Sequence, residues 1–513
     1  MTKRKEVFIL LLCIVSGFAL RFYHFDKKSL WVDEIYTFND SRDDLGGQLN
    51  FYEENPSFLH PPLFFILTHQ FYPFNRPEKD LRILPLIVGT LSIPMIYVVS
   101  NLFSPLIALP CAFSLTFMTY HISLSQDGRS YSLLMFLGMA SIFFLLKYLK
   151  TLKRVTLVPV GVLYAILFHT SYSSIPFILF SQILWFYRPD AESEKPDLSS
   201  FFFLSGLTLL LCLPWILFVT LHYGGEPWMD PLHTESPGSL GGMVYGLFHD
   251  WVPQFPLMIV SAILLLLLPF FSKPKKNALV LLAVFILPVG GLFLFCTLLH
   301  VTHFVTSRYF INFLPFFFIS IYLSLHAIEI KFQGLKSFLR LRLLFVILLI
   351  ASNAVILPLY YRSEKQDFRS LVVFLQEQLH DGDKIFVEDA SYMVGLLHYF
   401  KRYPETRHYK VSSLNDPAGE TVLRKTFVYQ GRPFLLLSSK NCCAQYTEDG
   451  NRLWIVVGKN TAKKIKVDSP SVFKGYFDGS FLNYNKFPSD ASMYLFLWDP
   501  RSPGEKGIEL SIE

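Results

Sequence analysis

Charge is what this sequence is short of. Asp, Glu, Lys and Arg make up 17% of its 513 residues, against roughly 25% in an ordinary soluble domain. That shortage excludes a chain built around one water-soluble core. Cysteine is scarce as well: four of the six (Cys13, Cys111, Cys212, Cys296) lie inside apolar runs, and Cys442 and Cys443 are neighbours. Neither a spaced disulfide framework nor a zinc-ligand spacing is present. No G-x-G-x-x-G, phosphate-binding P-loop, H-E-x-x-H or G-x-S-x-G stands in a suitable context, so a nucleotide cradle is not expected. A leader-like start, with Lys3, Arg4 and Lys5 ahead of an apolar stretch, ends in Arg21-Phe22-Tyr23-His24 without a small-x-small cleavage site, which favours an uncleaved anchor. Neither an internal repeat nor a low-complexity tract occurs.

What is present is apolar and aromatic. The chain is 52% hydrophobic and 17% aromatic, with a mean hydropathy of +0.38, a polytopic membrane composition. Its net charge of +6 sits in short clusters between apolar runs and not along one basic stripe, which assigns the excess to membrane topology and excludes a nucleic-acid partner. About eleven stretches approach the roughly 20 residues a membrane helix needs: 7–24, 82–102, 105–122, 131–149, 155–170, 173–187, 200–221, 255–271, 278–299, 309–328 and 343–361. The two spans over 155–187 are short and joined only by "HTSYSS"; a single helix there reverses everything downstream. With the N-terminus cytoplasmic, Lys3/Arg4/Lys5, Lys147/Lys150/Lys153/Arg154, Arg188/Lys195, Lys273/Lys275/Lys276 and Lys331/Lys336/Arg340/Arg342 all fall on one side, as the positive-inside rule requires of eleven spans. The other, trans side then receives the 25–80 loop, "SLSQDGRSY", "HTSYSS", the 222–254 loop and "HVTHFVTSRYF".

From about residue 363 the apolar runs end and charge rises. "DFRSLVVFLQEQL" and "SYMVGLLHYF" have helical spacing, and "DKIFVED", "RPFLLLSS", "RLWIVVG" and "MYLFLWD" read as strands. The expected organisation is a mostly α membrane domain, 1–362, followed by a small α/β domain, 363–513, on the trans side.

"SLWVDEIYTFND" (29–40) places Asp33 and Glu34 just beyond the first span. Juxtamembrane acids in water are ordinary, but Trp31, Ile35, Tyr36 and Phe38 around them belong at the membrane interface. Partial desolvation raises a carboxylate's pKa, which suits a general base. In "NPSFLHPPLFFILTHQF" (55–71), His60 precedes Pro61 and Pro62 at a helix start; the segment reads either as a surface-lying helix or as a lid holding His60 near Asp33. "SQDGRSYS" (125–132) carries Asp127, Arg129 and Tyr131, either a polar turn with a weak ion pair or an anion site using the planar fork of arginine. "HVTHFVTSRYF" (300–310) carries Arg308 and Tyr309, with His300 and His303 nearby. A snorkelling arginine beside an aromatic-belt tyrosine explains it; a second phosphate contact explains it equally. His169 and Tyr172 in "FHTSYSS" rank lower, since buried His and Tyr are more often packed core.

Taken in order, "LWVDEIYT", "HPPLFF", "SQDGRSYSLL" and "SRYFINFLPFF" resemble the GT-C glycosyltransferases of family 39, related to protein O-mannosyltransferases and lipid A aminoarabinose transferases. The resemblance covers roughly residues 5–360, and the C-terminal region resembles the soluble tail of several bacterial members. It implies transfer of a sugar from a polyprenyl phosphate, with inversion, to an acceptor in protein, lipid A or glycan; the aromatic-rich composition and the C-terminal tail favour a bacterial inner-membrane protein. Asp33 matches the family's catalytic aspartate, Glu34 its neighbour, and Asp127, more loosely, a second acid. Arg129 and Arg308 are then the expected phosphate contacts, with His60, Tyr131 and Tyr309 as further substrate-binding candidates. A divalent metal between carboxylates and phosphate is compatible with this chemistry, but the sequence shows no dedicated ligand set, so the cofactor stays unassigned. Two other classes remain open. A lipid-linked sugar flippase or transporter places its ionisable residues near the bilayer midplane; a non-catalytic scaffold uses the C-terminal domain to bind partners.

Overall fold

The computed structural model describes residues 2–54, 60–188, 195–222, 239–272, 274–298, 307–332, 340–402, 412–415, 421–438, 450–463, 471–479, 491–499 and 501. His300 and His303, Cys442 and Cys443, and most of the 222–238 stretch lie outside them. Each of the eleven apolar stretches falls on helix. Among the described residues, six helices are long and apolar enough to cross a membrane: Pro77–Phe103, Tyr131–Thr151, Leu198–His222, Lys275–Leu298, Ser307–Lys331 and Leu341–Arg362. Two more stretches belong to bent pairs, Pro105–Phe117 with Thr119–Ser125 at 63° and Leu240–Trp251 with Phe255–Phe271 at 109°. The remaining three are the short apolar helices Arg154–Thr170 and Tyr172–Phe186 and the first helix, Lys3–Phe22, which carries Lys3, Arg4, Lys5, Glu6 and Arg21. The polytopic membrane architecture expected from hydropathy is thus present, but with six candidate spans, or eight if each bent pair is one span, in place of the eleven expected, because helix breaks, short length and charge set the other stretches apart. The 155–187 stretch is two helices: the backbone is extended at Ser171 (φ −168°, ψ 140°), and the Ser171 side chain accepts the N–H of Ser173.

Burial sorts these helices by position. Only 17% of the apolar window of Leu198–His222 is buried, against 72% for Tyr131–Thr151 and 78% for Ser307–Lys331. The first therefore presents an apolar surface all round, as a lipid-facing helix must, and the other two are the centre of the bundle. Gly89 on the helix Ile83–Phe103 sits where a Cβ would lie 2.1 Å from Oγ of Ser125, so its missing side chain is what allows the end of Thr119–Ser125 to approach that helix.

Contacts divide the chain into two compact units, Met1–Phe25, Ser41–Asn75 and Lys79–Pro358 in one, and Asp26–Asp40, Arg76–Glu78 and Leu359–Glu513 in the other. The second unit contains a seven-stranded mixed sheet. Its strands are β1 (Lys384–Val387), β2 (Ser412–Asn415), β3 (Thr421–Tyr429), β4 (Arg432–Ser438), β5 (Leu453–Gly458), β6 (Ser471–Phe477) and β7 (Met493–Trp498), in the order β2-β3-β4-β1-β5-β7-β6. β1 pairs in parallel with β4 and β5, and the outer pairings are antiparallel. The parallel strands read as continuous apolar runs because the central strands are covered: β5 is buried from Leu453 to Val457. Helices Phe368–Gln378 and Ala390–Tyr399 accompany the sheet. The expected strands correspond to β1, β4, β5 and β7, and the expected helices to these two. An ion pair staples β1 to β5: Arg452 donates from Nε to Oδ1 of Asp383 (2.9 Å) and from Nη2 to Oδ2 (2.5 Å), and Trp454 Nε1 donates to the same Oδ2 (2.9 Å).

Candidate active site

In the membrane unit, the turn carrying Asp127 and Arg129 is held by a break in a helix. Pro105–Phe117 ends at Met118, where the backbone is extended (φ −72°, ψ 111°), and Thr119–Ser125 starts immediately after. A break in apolar surroundings orphans carbonyls and N–H groups that only the protein can satisfy. Arg21, fully buried, supplies donors: Nη2 to Leu115 O (2.9 Å) and Nη1 to Thr116 O (3.3 Å), with further bonds to Gly17 O (2.9 Å) and His121 Nδ1 (2.7 Å). His121 therefore accepts at Nδ1. Asn353 takes the N–H of Thr119 on Oδ1 (2.8 Å). The following Gln126 then donates from Nε2 to the carbonyls of Arg21 and Tyr23, both at 2.7 Å. The turn is anchored to the end of the first helix, Asp127 is buried, and Arg129 is half-buried.

Tyr131, Arg308 and Tyr309 come together in that unit. The Arg308 guanidinium lies over the rings of Tyr309 (5.0 Å) and Tyr131 (5.6 Å), and Nη2 donates to the Tyr309 hydroxyl (3.2 Å). The planar cation is held against two aromatic rings, and a guanidinium is the group whose fork of N–H donors suits an anionic oxygen. Next to it, Tyr120 donates to Ser307 Oγ (2.9 Å), and Ser307 donates to a carboxylate oxygen of Asp250. Asp250 is 3% exposed, and His249 Nδ1 lies 3.8 Å from its other oxygen. Tyr120, His249, Asp250 and Ser307 were not among the sequence candidates. The signal available for Asp250 was an acid inside the apolar run "MVYGLFHDW", since ionisable residues among apolar neighbours carry a cost that function commonly explains. His60 is exposed, two residues before Pro62, which precedes the helix Leu63–His69.

Asp33 and Glu34 lie in the second unit, on the helix Val32–Asp40. Glu34 is fully buried and its Oε2 accepts from the N–H of Trp31 (3.4 Å), the residue ahead of the helix. That is the reciprocal half of a capping box, a structural role three positions inside the helix start. Asp33 is half-buried at the second helical position. The four N–H groups leading into it each meet a side-chain oxygen: Ser29 to Glu364 Oε2 (3.0 Å), Leu30 to the Tyr399 hydroxyl (2.7 Å), Trp31 to Glu34, and Val32 to Gln366 Oε1 (2.9 Å). Phe38 meets the His398 ring edge-on at 4.8 Å. Burial, then the adjacent Glu78 carboxylate, push the Tyr399 phenol above the usual tyrosine range, so it stays a donor to Glu78 Oε1 (3.1 Å) while accepting from Leu30 and from Ser29 Oγ (3.1 Å). Among the described residues, no three His, Cys, Asp or Glu side chains are grouped so as to hold a metal ion.

No known family pattern matches the chain, and no curated protein does. Solved structures do. ArnT from Cupriavidus metallidurans bound to undecaprenyl phosphate aligns over 99% of this chain and 100% of its own, with a TM-score of 0.51 at 11% identity. The same protein in the apo state aligns over 96% and 98%, with a TM-score of 0.52 at 10% identity. At this identity the likeness speaks for architecture: the chain has the GT-C fold, membrane helices and C-terminal sheet domain together.

Proposed function

We propose that a chain of this fold, with these side chains, is a membrane glycosyltransferase that moves a sugar from a polyprenyl-phosphate donor to an acceptor on the periplasmic side, inverting the anomeric carbon. The observation that carries the reading is the end-to-end likeness to ArnT, one of whose structures holds undecaprenyl phosphate. Asp33 is the proposed general base. Its carboxylate takes the proton of the acceptor group as that group's lone pair attacks the anomeric carbon; the bond from that carbon to the phosphate oxygen breaks, and its electron pair leaves with polyprenyl phosphate. The leaving group departs as an anion and needs charge stabilisation in place of protonation, the role proposed for Arg308 and Arg129. Tyr131 and Tyr309 hold the Arg308 guanidinium in orientation. In this scheme Asp127 and His60 line the substrate site, and Glu34 supports Asp33 by capping its helix. The proposed acceptor is a group in protein, lipid A or another glycan. The reading places the protein in the cell inner membrane, N-terminus cytoplasmic and C-terminal domain periplasmic.

The test is Asp33→Asn in a deletion strain, with glycans and lipids profiled by mass spectrometry. Wild-type protein is expected to restore one missing sugar and the variant to leave it missing at equal membrane abundance. Full restoration by the variant would remove Asp33 as the base and favour a transporter or scaffold.

A further inference from the structure

We infer that the C-terminal domain is part of the catalytic apparatus, and that Tyr399 is a positioning residue that sets the place of Asp33. This rests on the proposed role of Asp33 as base. The segment Ser29–Val32 makes its approach to the helix Val32–Asp40 with four successive N–H groups bonded to side-chain oxygens, three of them from residues 364–399. Those side chains, in place of a strand or helix partner, fix the path of the chain ahead of Asp33, and each fixes a different N–H. Tyr399 is the hub. Its hydroxyl accepts from Leu30 N–H and Ser29 Oγ and donates to Glu78, and Glu78 also receives Nη2 of Arg369 (3.0 Å). Arg369 in turn donates from Nη1 to Lys27 O (3.1 Å) and from its backbone N–H to Ser29 Oγ (3.3 Å). Leu30 is fully buried, so its N–H has no water to turn to if the phenol oxygen is removed, and the segment must move to satisfy it. Asp33 is three residues further on, within the first turn of the helix whose start would shift.

Tyr399→Phe removes the oxygen and keeps the ring. Full-length protein in detergent is assayed with an organic-solvent extract of polyprenyl-phosphate sugars from parent membranes as donor and deletion-strain membranes as acceptor, the product being read by mass spectrometry. A misplacement of about 1 Å at a reacting group costs on the order of 10²-fold in rate, so the rate at saturating extract is expected to fall about 10- to 100-fold. The half-saturating extract concentration and the binding of undecaprenyl phosphate are expected to stay at wild-type values, and amide exchange is expected to accelerate over residues 29–34. Gln366→Leu is expected to act in the same direction through Val32, and Gln366→Glu, which keeps an acceptor, to recover most of the rate. A Tyr399→Phe protein at wild-type rate, beside an inactive Asp33→Asn protein, overturns the inference and leaves the base assignment standing. An active Asp33→Asn protein sinks both. A Tyr399→Phe protein that loses only undecaprenyl phosphate binding also overturns positioning of the transfer step.

Discussion

Arg21 gives the prediction that the structure quantifies most directly. In Arg21→Leu, the carbonyls of Leu115 and Thr116 lose their donors at 2.9 and 3.3 Å, and His121 Nδ1 loses its donor at 2.7 Å. A buried acceptor left without its partner costs about 1–3 kcal/mol, so the two carbonyls alone set a range of about 2–6 kcal/mol. Hydrogen bonds within membrane bundles measure nearer 0.6 kcal/mol on average, because the unfolded chain in a bilayer also finds partners; that pulls the expectation to the lower half, about 2–3 kcal/mol. The opposing gain from removing a charge from apolar surroundings is small here, because Arg21 sits in the last turn of its helix and the cost of a charge falls toward the membrane interface. Arg21→Lys keeps the charge but offers one compact ammonium for four acceptors spread over three helices, and is expected to lie between wild type and leucine. The assay is the unfolding free energy of the full-length protein from detergent–SDS titration. Arg21→Leu within about 0.5 kcal/mol of wild type, the ordinary effect of a surface change, would refute the argument that this arginine seals the helix break.

Two further outcomes are expected. Arg308→Ala should weaken undecaprenyl phosphate binding by about 10- to 100-fold, the value of one charge-assisted hydrogen bond at about 1.5–3 kcal/mol; unchanged binding by tryptophan-quenching titration would separate Arg308 from the phosphate. Asp383→Ala strands Arg452, whose partner is 2% exposed, and should destabilise the sheet by about 3 kcal/mol, the low end for breaking a buried pair because Arg452 keeps some solvent contact; rising protease sensitivity confined to residues 363–513 is the readout, and resistance equal to wild type would count against the staple.

Hydropathy made the helices legible, because apolar length is a local property and a membrane helix satisfies its own backbone. The strands of the sheet's buried middle, β1, β4, β5 and β7, were equally readable as short apolar runs between polar turns. β2, β3 and β6 carry weaker runs: in "TVLRKTFVY" and "SVFKGYF", charged residues interrupt the apolar signal, and only pairing with a neighbour makes them strands. Pairing is non-local, so one segment read alone does not contain it.

The candidate site divides along the same line. Asp33, Asp127 and Arg308 could be singled out from sequence because an ionisable residue beside an apolar run is costly wherever the chain folds. Arg21 looked like the end of an anchor and Tyr399 like the end of a helix. Their work depends on carbonyls 94 and 95 residues away and on an N–H 369 residues away. Asp250 acquires its partner across 57 residues, at Ser307. The sequence by itself determined a membrane chain with a less apolar C-terminal domain and the residue types able to move a proton and hold a phosphate. Only tertiary structure decided that residues 26–40 pack as part of the C-terminal unit, and that a broken helix is sealed by an arginine, because a hydrogen bond needs its two ends within about 3 Å and the sequence records no distances.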